Sequence, residues 1–203
     1  MKPSLVVAVS GGGRTLANLL NQQDQWNYKV AGVISSSASC GGCRIAEKAD
    51  LPLFVGDFSA AAQHHTRKEL TGWLADLDAQ WIALAGFLKK FPDLPEYQTR
   101  VINIHPALLP NYGGPGMYGL RVHQAVLNAG DRETGATVHF VNEHYDEGQP
   151  IAQIRVDVAD LGTAEAIAAR VFQAECQIYP KVIDGLTRGQ LPLETGILSL
   201  SFS

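Results

Sequence analysis

The sequence is short of several things. Only three of its 203 residues are cysteine, and so small and odd a count is no disulfide framework. Positive charge is not in surplus: a net charge of -4 offers no bulk basic field to nucleic acid, so any anionic ligand must be met by local groups. No apolar run is long enough to cross a bilayer. The start, Met1-Lys2-Pro3-Ser4-Leu5, leads straight into a short apolar strand and lacks a signal peptide's apolar core and cleavage pattern. These absences predict a cytoplasmic protein without nucleic-acid or membrane partners. No repeat, low-complexity segment or shift of composition marks a second domain, so a single domain over residues 1–203 is expected.

The stretch Val101-Ile102-Asn103-Ile104-His105-Pro106 is the most informative one present. Val101, Ile102 and Ile104 suit a buried strand. Asn103 and His105 are two apart, so on a strand both side chains leave one face. Pro106 stops the ladder because it has no amide hydrogen. An amide and an imidazole thus stand together at a strand's C-terminal tip, where open α/β folds place their chemistry. A single Asn or His there is more often a satisfied turn residue; two on one face weight the reading toward function.

A second candidate lies near the start. Ser4–Ser10 reads as a strand, followed by Gly11-Gly12-Gly13-Arg14-Thr15 and a helix over 16–23. Strand, glycine turn and helix aim backbone amides and a helix dipole at one spot, which suits an anion. The dinucleotide fingerprint fails, because Leu16 stands where its third glycine belongs and no acid ends the next strand, Lys29–Ser35. A Walker motif fails for want of a Lys-Ser/Thr pair in register. A phosphomonoester site fits these residues, and a plain glycine turn fits them too.

Further on, the pattern predicts a helix over 44–49, a strand over 53–55, a helix over 60–77 capped by Ser59, and a buried strand over 81–85. Cys40-Gly41-Gly42-Cys43 reads as incidental loop thiols, with a zinc pair and a redox pair as alternatives. Leu88-Lys89-Lys90-Phe91 is either a wall for a flat ring with an acidic tail or a solvated surface connection. Residues 111–119 hold four glycines and a proline and must be a loop, either shaping the site or inert. After a helix over 121–129, strands over 134–141 and 151–158 are expected as an antiparallel pair at the sheet edge. His139 shares a face with Thr137 and Val141, and a lone strand His is usually structural. Thr163 should cap a helix reaching Arg188, buried along Ile167, Val171, Ala174, Ile178 and Val182 and kinked at Pro180. The tail from Leu191 shows no chemistry. The whole predicts an α/β fold, doubly wound, with a mostly parallel sheet and helices on both faces.

Asn103-Ile104-His105-Pro106-Ala107-Leu108-Leu109-Pro110 resembles the N-x-H-P-S-L-L-P signature of formyltransferases that use 10-formyltetrahydrofolate. The resemblance continues through Leu84–Phe87, Glu133–Phe140, Tyr145-Asp146-Glu147-Gly148 and Ile151-Ala152-Gln153, and spans nearly the whole chain. It is closest to the branch that formylates the amine of 5-phosphoribosylglycinamide (GAR) in purine synthesis. Formylation of another amine, such as an amino sugar nucleotide, and hydrolysis of 10-formyltetrahydrofolate are the alternatives. The expectation is a chain without the extra C-terminal or N-terminal domains of related transferases and hydrolases.

The same resemblance implies a set of site residues. By it, the catalytic roles fall on Asn103, His105 and Asp146, with Asp146 raising the pKa of His105 and helping to hold a water. The implied phosphate loop is Gly12, Gly13, Arg14 and Thr15, where the family usually has Ser-Asn in place of Arg14-Thr15. Glu175 would take the ribose, with Phe172 where a Gln is common. The implied folate contacts are Leu88, Lys89, Lys90, Phe91, Asn103, Val141 and Asp146, and Gln63 replaces an Arg sometimes used there. The implied co-substrate is 10-formyltetrahydrofolate, no metal is expected, and the cleft would lie between the glycine turn and the tips of strands 81–85 and 101–105.

Overall fold

A computed structural model describes residues 1–191 and the backbone of residues 198–201. The chain forms two compact units, Met1–Ile102 and Asn103–Ser203.

In the first unit, strand β1 (Ser4–Val9) lies between β2 (Lys29–Ser35) and β4 (Trp81–Leu84), with β3 (Leu53–Val55) beyond β2, all parallel. Leu5, Val6, Val7, Ala8 and Val9 are each 0% exposed. A strand buried on alternate sides along its length is covered on both faces, as parallel strands are. Helices α1 (Arg14–Gln22), α2 (Gly41–Lys48) and α3 (Gln63–Asp76) join these strands and bury Leu16, Leu19, Ala46, Leu70 and Leu74. The chain moves outward from β1 to β3 and then returns to place β4 on the other side of β1. Strand order therefore reverses beside β1, and the glycine turn follows directly from its C-terminal end, the position where such sheets bind ligands.

Two helix starts differ from expectation by three residues. Helix α2 begins at Gly41, three residues early, because Cys40 takes an extended N-cap conformation with φ -76° and ψ 163°. Helix α3 begins at Gln63, and Ser59 does not cap it. The Ser59 amide instead donates to Asp57 Oδ1 at 2.9 Å, and its carbonyl accepts from Ala62 at 3.1 Å, so the turn consumes the intended cap.

Strand β5 (Val101–His105) ends in the second unit, which adds α4 (Leu120–Ala129), β6 (Glu133–Phe140), β7 (Pro150–Asp157), α5 (Ala164–Thr187) and β8 (Leu198–Ser201). β6 and β7 are the antiparallel pair the sequence predicts. They are not the sheet edge, because β8 pairs parallel to β7 on its other side. Helix α5 is the crossover that a parallel β7–β8 pair requires. Its predicted stripe of Ile167, Val171, Ala174, Ile178 and Val182 is buried, and the helix continues through Pro180. The α/β, doubly wound, mostly parallel architecture is the one expected. Among the described residues, no helix is long and apolar enough to cross a membrane.

Thr163 Oγ1 accepts from the Ala166 amide at 3.2 Å and caps α5. Thr163→Ala is expected to lower stability by about 1 kcal/mol, with Thr163→Ser near wild type. Chemical denaturation of the three proteins checks this.

Candidate active site

The last residues of β5 carry the site. Asn103 is half-buried and His105 is 4% exposed, both on one face of the strand. Asp146 reaches them from the turn between β6 and β7. It has φ 58°, a left-handed conformation in which a residue with a side chain is strained. Its Oδ2 accepts the Gly114 amide at 2.9 Å and lies 3.4 Å from His105 Nδ1. Its Oδ1 lies 3.5 Å from Asn103 Nδ2 and 3.6 Å from His139 Nε2. The three residues the resemblance implies are therefore brought together.

His139, which its strand position alone marks as structural, belongs to the same cluster. It is 2% exposed, and its Nδ1 lies 2.8 Å from the Phe140 carbonyl. A carbonyl only accepts, so the proton is on Nδ1. Nε2 then accepts from Asn103 Nδ2 at 3.0 Å, which fixes the amide's orientation. The pairing register shifts beside it, where Val138 faces Ala152 and His139 faces Pro150, so that Ile151 is an extra residue on β7, an irregularity common beside sites. Gly148 passes close beneath it: a Cβ there would lie 1.7 Å from the Phe140 oxygen and 3.3 Å from His139 Nδ1, so no larger residue fits.

The glycine-rich loop after β5 shapes the site rather than merely passing it. Tyr112 has φ 58° and presents its carbonyl to His105 Nε2 at 2.8 Å, while Gly114 supplies its amide to Asp146. His105 Nε2 must be the donor in that bond, which leaves Nδ1 facing the carboxylate. Burial drives the His105 pKa down, and this outweighs the upward pull of the Asp146 carboxylate and the Tyr112 carbonyl. The anion acts in the direction expected, but desolvation is the larger effect and the net shift is downward. Burial pushes Asp146 up. The positive charge that His105 can carry and the Gly114 amide hold its carboxyl below the ordinary range.

Behind the cluster is a buried polar hub that no sequence motif announces. Thr137 Oγ1 donates to the Ala107 carbonyl at 2.7 Å and accepts from the Leu109 amide at 3.0 Å. Gln153 Nε2 donates to the Leu109 carbonyl at 2.9 Å and to Thr137 Oγ1 at 3.1 Å. These bonds tie down the segment that leaves β5 after Pro106. The only signal in the sequence is the alternation that puts Thr137 and His139 on one face.

Of the other residues singled out, Val141 is half-exposed just beyond β6. Glu175 is half-buried midway along α5, and with burial its charge raises the pKa of Tyr179. In the first unit, Gly13 is the N-cap of α1 with φ 76°, and α1 has neither a capping side chain nor an acid in its first turn. Gly12 and Arg14 are exposed and Thr15 is half-buried. Leu88, Lys89 and Lys90 are exposed, whereas Phe91 turns inward against Phe58 and Phe87. Among the described residues, no group of three or more His, Cys, Asp or Glu is placed to hold a metal ion.

Residues 4–183 match the family described as formyl transferase. The chain belongs to that family, whose formyl donor is formyltetrahydrofolate. It is 34% identical to the phosphoribosylglycinamide formyltransferase of Haemophilus influenzae over 97% of its own length and 92% of that protein. It is 35% identical to the chloroplastic phosphoribosylglycinamide formyltransferase of Vigna unguiculata over 91% of its length, but spans only 61% of that relative. The solved phosphoribosylglycinamide formyltransferase of Coxiella burnetii superposes with a TM-score of 0.83 at 32% identity, covering 93% of this chain and 89% of that one.

Thr137→Val keeps shape but leaves the Leu109 amide and one Gln153 hydrogen without their acceptor. It is expected to destabilise the protein by about 2 kcal/mol, measured by urea denaturation.

Proposed function

We propose that this chain transfers the formyl group of 10-formyltetrahydrofolate to the amine of GAR, as a cytoplasmic step of de novo purine biosynthesis. The whole of residues 1–203 acts as one functional domain. The observation that carries the proposal is the buried cluster of Asn103, His105, His139 and Asp146 at the end of β5, in a chain of the formyl transferase family.

The amine lone pair attacks the formyl carbon, and the carbonyl electrons move onto oxygen. The resulting tetrahedral species must lose a proton from the attacking nitrogen, protonate the folate nitrogen and break the bond to it. One Asn103 hydrogen is held by His139 at 3.0 Å, while the other faces Asp146 at 3.5 Å, the outer edge of hydrogen-bond reach. That second hydrogen is the one donated to the oxyanion, an interaction worth about 3 kcal/mol in acyl-transfer sites. His105, kept neutral by burial, takes the amine's proton at Nδ1, directly or through a water held by Asp146, and returns it to the leaving nitrogen. The Asp146 carboxylate stabilises the imidazolium in between. No step uses a metal.

Gly12, Gly13, Arg14 and Thr15 bind the GAR phosphate. The uncapped first-turn amides of α1 and the Arg14 guanidinium meet its charge. Glu175 binds the ribose hydroxyls. Leu88, Lys89, Lys90, Asn103, Val141 and Asp146 hold the folate, with Phe91 anchoring the lysine segment from the core and the exposed lysines taking the folate's acidic tail.

A steady-state assay with 10-formyl-5,8-dideazafolate, whose deformylation changes absorbance, tests the reading. The signal is expected to require GAR, and Asn103→Ala is expected to lower kcat/KM about 100-fold. Signal without any acceptor would assign a hydrolase instead, and signal only with other amines would assign a different acceptor.

A further inference from the structure

A second set of reactive side chains lies in the first unit, on the turn from β2 into α2. Cys40 is the N-cap residue of α2, and the two intervening glycines place Cys43 in its first turn. The two Sγ atoms are 3.4 Å apart. Cys40 is half-exposed and Cys43 is buried. A disulfide is about 2.05 Å long, so closure takes roughly 1.4 Å of sulfur movement. Zinc would need further ligands, and among the described residues no third His, Cys, Asp or Glu joins the pair.

We propose that Cys40 and Cys43 are a redox-active dithiol that exchanges with small-molecule disulfides to form a reversible Cys40–Cys43 disulfide. The Cys40 thiolate attacks one sulfur of the small disulfide, forming a mixed disulfide and expelling one thiolate. The Cys43 thiolate then attacks Cys40 Sγ and expels the second. Two protein thiols are oxidised, the small disulfide is reduced to two thiols, and the two protons end on them.

The surroundings assign these roles. Ser35 Oγ lies 3.3 Å from Cys40 Sγ. Burial works against a thiolate at Cys40, but the polar groups around it, Ser35 and the first turn of α2, leave its pKa below the ordinary thiol value. Burial pushes Cys43 up, and its thiol donates to the Ser37 carbonyl at 3.1 Å. An accessible sulfur with a stabilised thiolate beside a buried, protonated one is the asymmetry of an attacking and a resolving thiol.

The residues between the two sulfurs are in backbone contact with the glycine turn after β1. The Gly42 amide donates to the Gly11 carbonyl at 3.0 Å. A Cβ on Gly41 would stand 2.6 Å from the Gly12 oxygen, and one on Gly13 would stand 2.7 Å from Gly42 Cα. Closing the disulfide therefore strains the turn that, if the chain acts on GAR, holds phosphate.

The test equilibrates the full-length protein in glutathione buffers of graded oxidised-to-reduced ratio, then quenches in acid, alkylates, digests and weighs the peptides. The expected product is an internal disulfide between positions 40 and 43, lost on adding dithiothreitol, with Cys176 alkylated throughout. Cys43→Ser should stop at a glutathione adduct on Cys40, and Cys40→Ser should form neither product. Free thiols at both positions in oxidised buffer, or a persistent adduct on wild-type Cys40, would overturn the proposal.

Alkylation of unmodified protein below the ordinary thiol pKa of about 8.5 gives a reading independent of variant folding: Cys40 must react faster than Cys176. Amide hydrogen exchange across residues 10–16 should change on oxidation, and unchanged exchange would refute the coupling to the glycine turn. None of these readouts uses formyl transfer, so failure here is distinct from failure of the proposed activity.

Discussion

The arrangement at the end of β5 depends on one carboxylate. Asp146 holds a strained left-handed backbone so that its two oxygens face four groups: the Gly114 amide, His105, Asn103 and His139. A buried anion is costly unless it is bonded on several sides, and here each neighbour gains something specific in return. Gly114 is pinned, which fixes the loop after β5. His105 acquires a partner for a second proton. Asn103 is held between a firm bond to His139 and a weak one to Asp146, so one of its hydrogens stays available.

The cluster works because the backbone beneath it is over-determined. The Tyr112 carbonyl orients His105 from one side, and the Phe140 carbonyl sets the His139 proton from another. Thr137 and Gln153 fasten residues 107–109. Gly148 permits a backbone approach that any side chain would block. Strain at Tyr112 and Asp146 is concentrated where these bonds are densest, as expected of a site built to present groups to a reacting molecule rather than to maximise stability.

Much of this is legible in the sequence. Alternation and a terminating proline locate β5 and put Asn103 and His105 on one face. The three-and-four spacing of α5 and its Thr163 cap are equally plain, and the family signature supplies Asp146. The misses share a physical cause. His139 keeps the face that alternation gives it, but its partners Asn103 and Asp146 come from β5 and the β6–β7 turn, and such tertiary contacts leave no mark in a hydrophobic pattern. Strand β8 is four residues long, and its existence depends on β7 having an unpaired edge, which is a tertiary fact. Ser59 loses its capping role to a local turn set by Asp57. The sign of the His105 shift requires burial, which outweighs the carboxylate visible in the motif.

The balance at His105 is the most direct point of attack. Nitrogen-15 NMR of the His105 ring, followed across pH in wild type and in Asp146→Asn, measures it. Burial should place the wild-type midpoint below the ordinary histidine value of 6.5. Removing the carboxylate removes the one nearby anion that favours the imidazolium, so the variant midpoint should fall further. A midpoint that stays put or rises in Asp146→Asn would contradict the coupling on which the site, as described, is built.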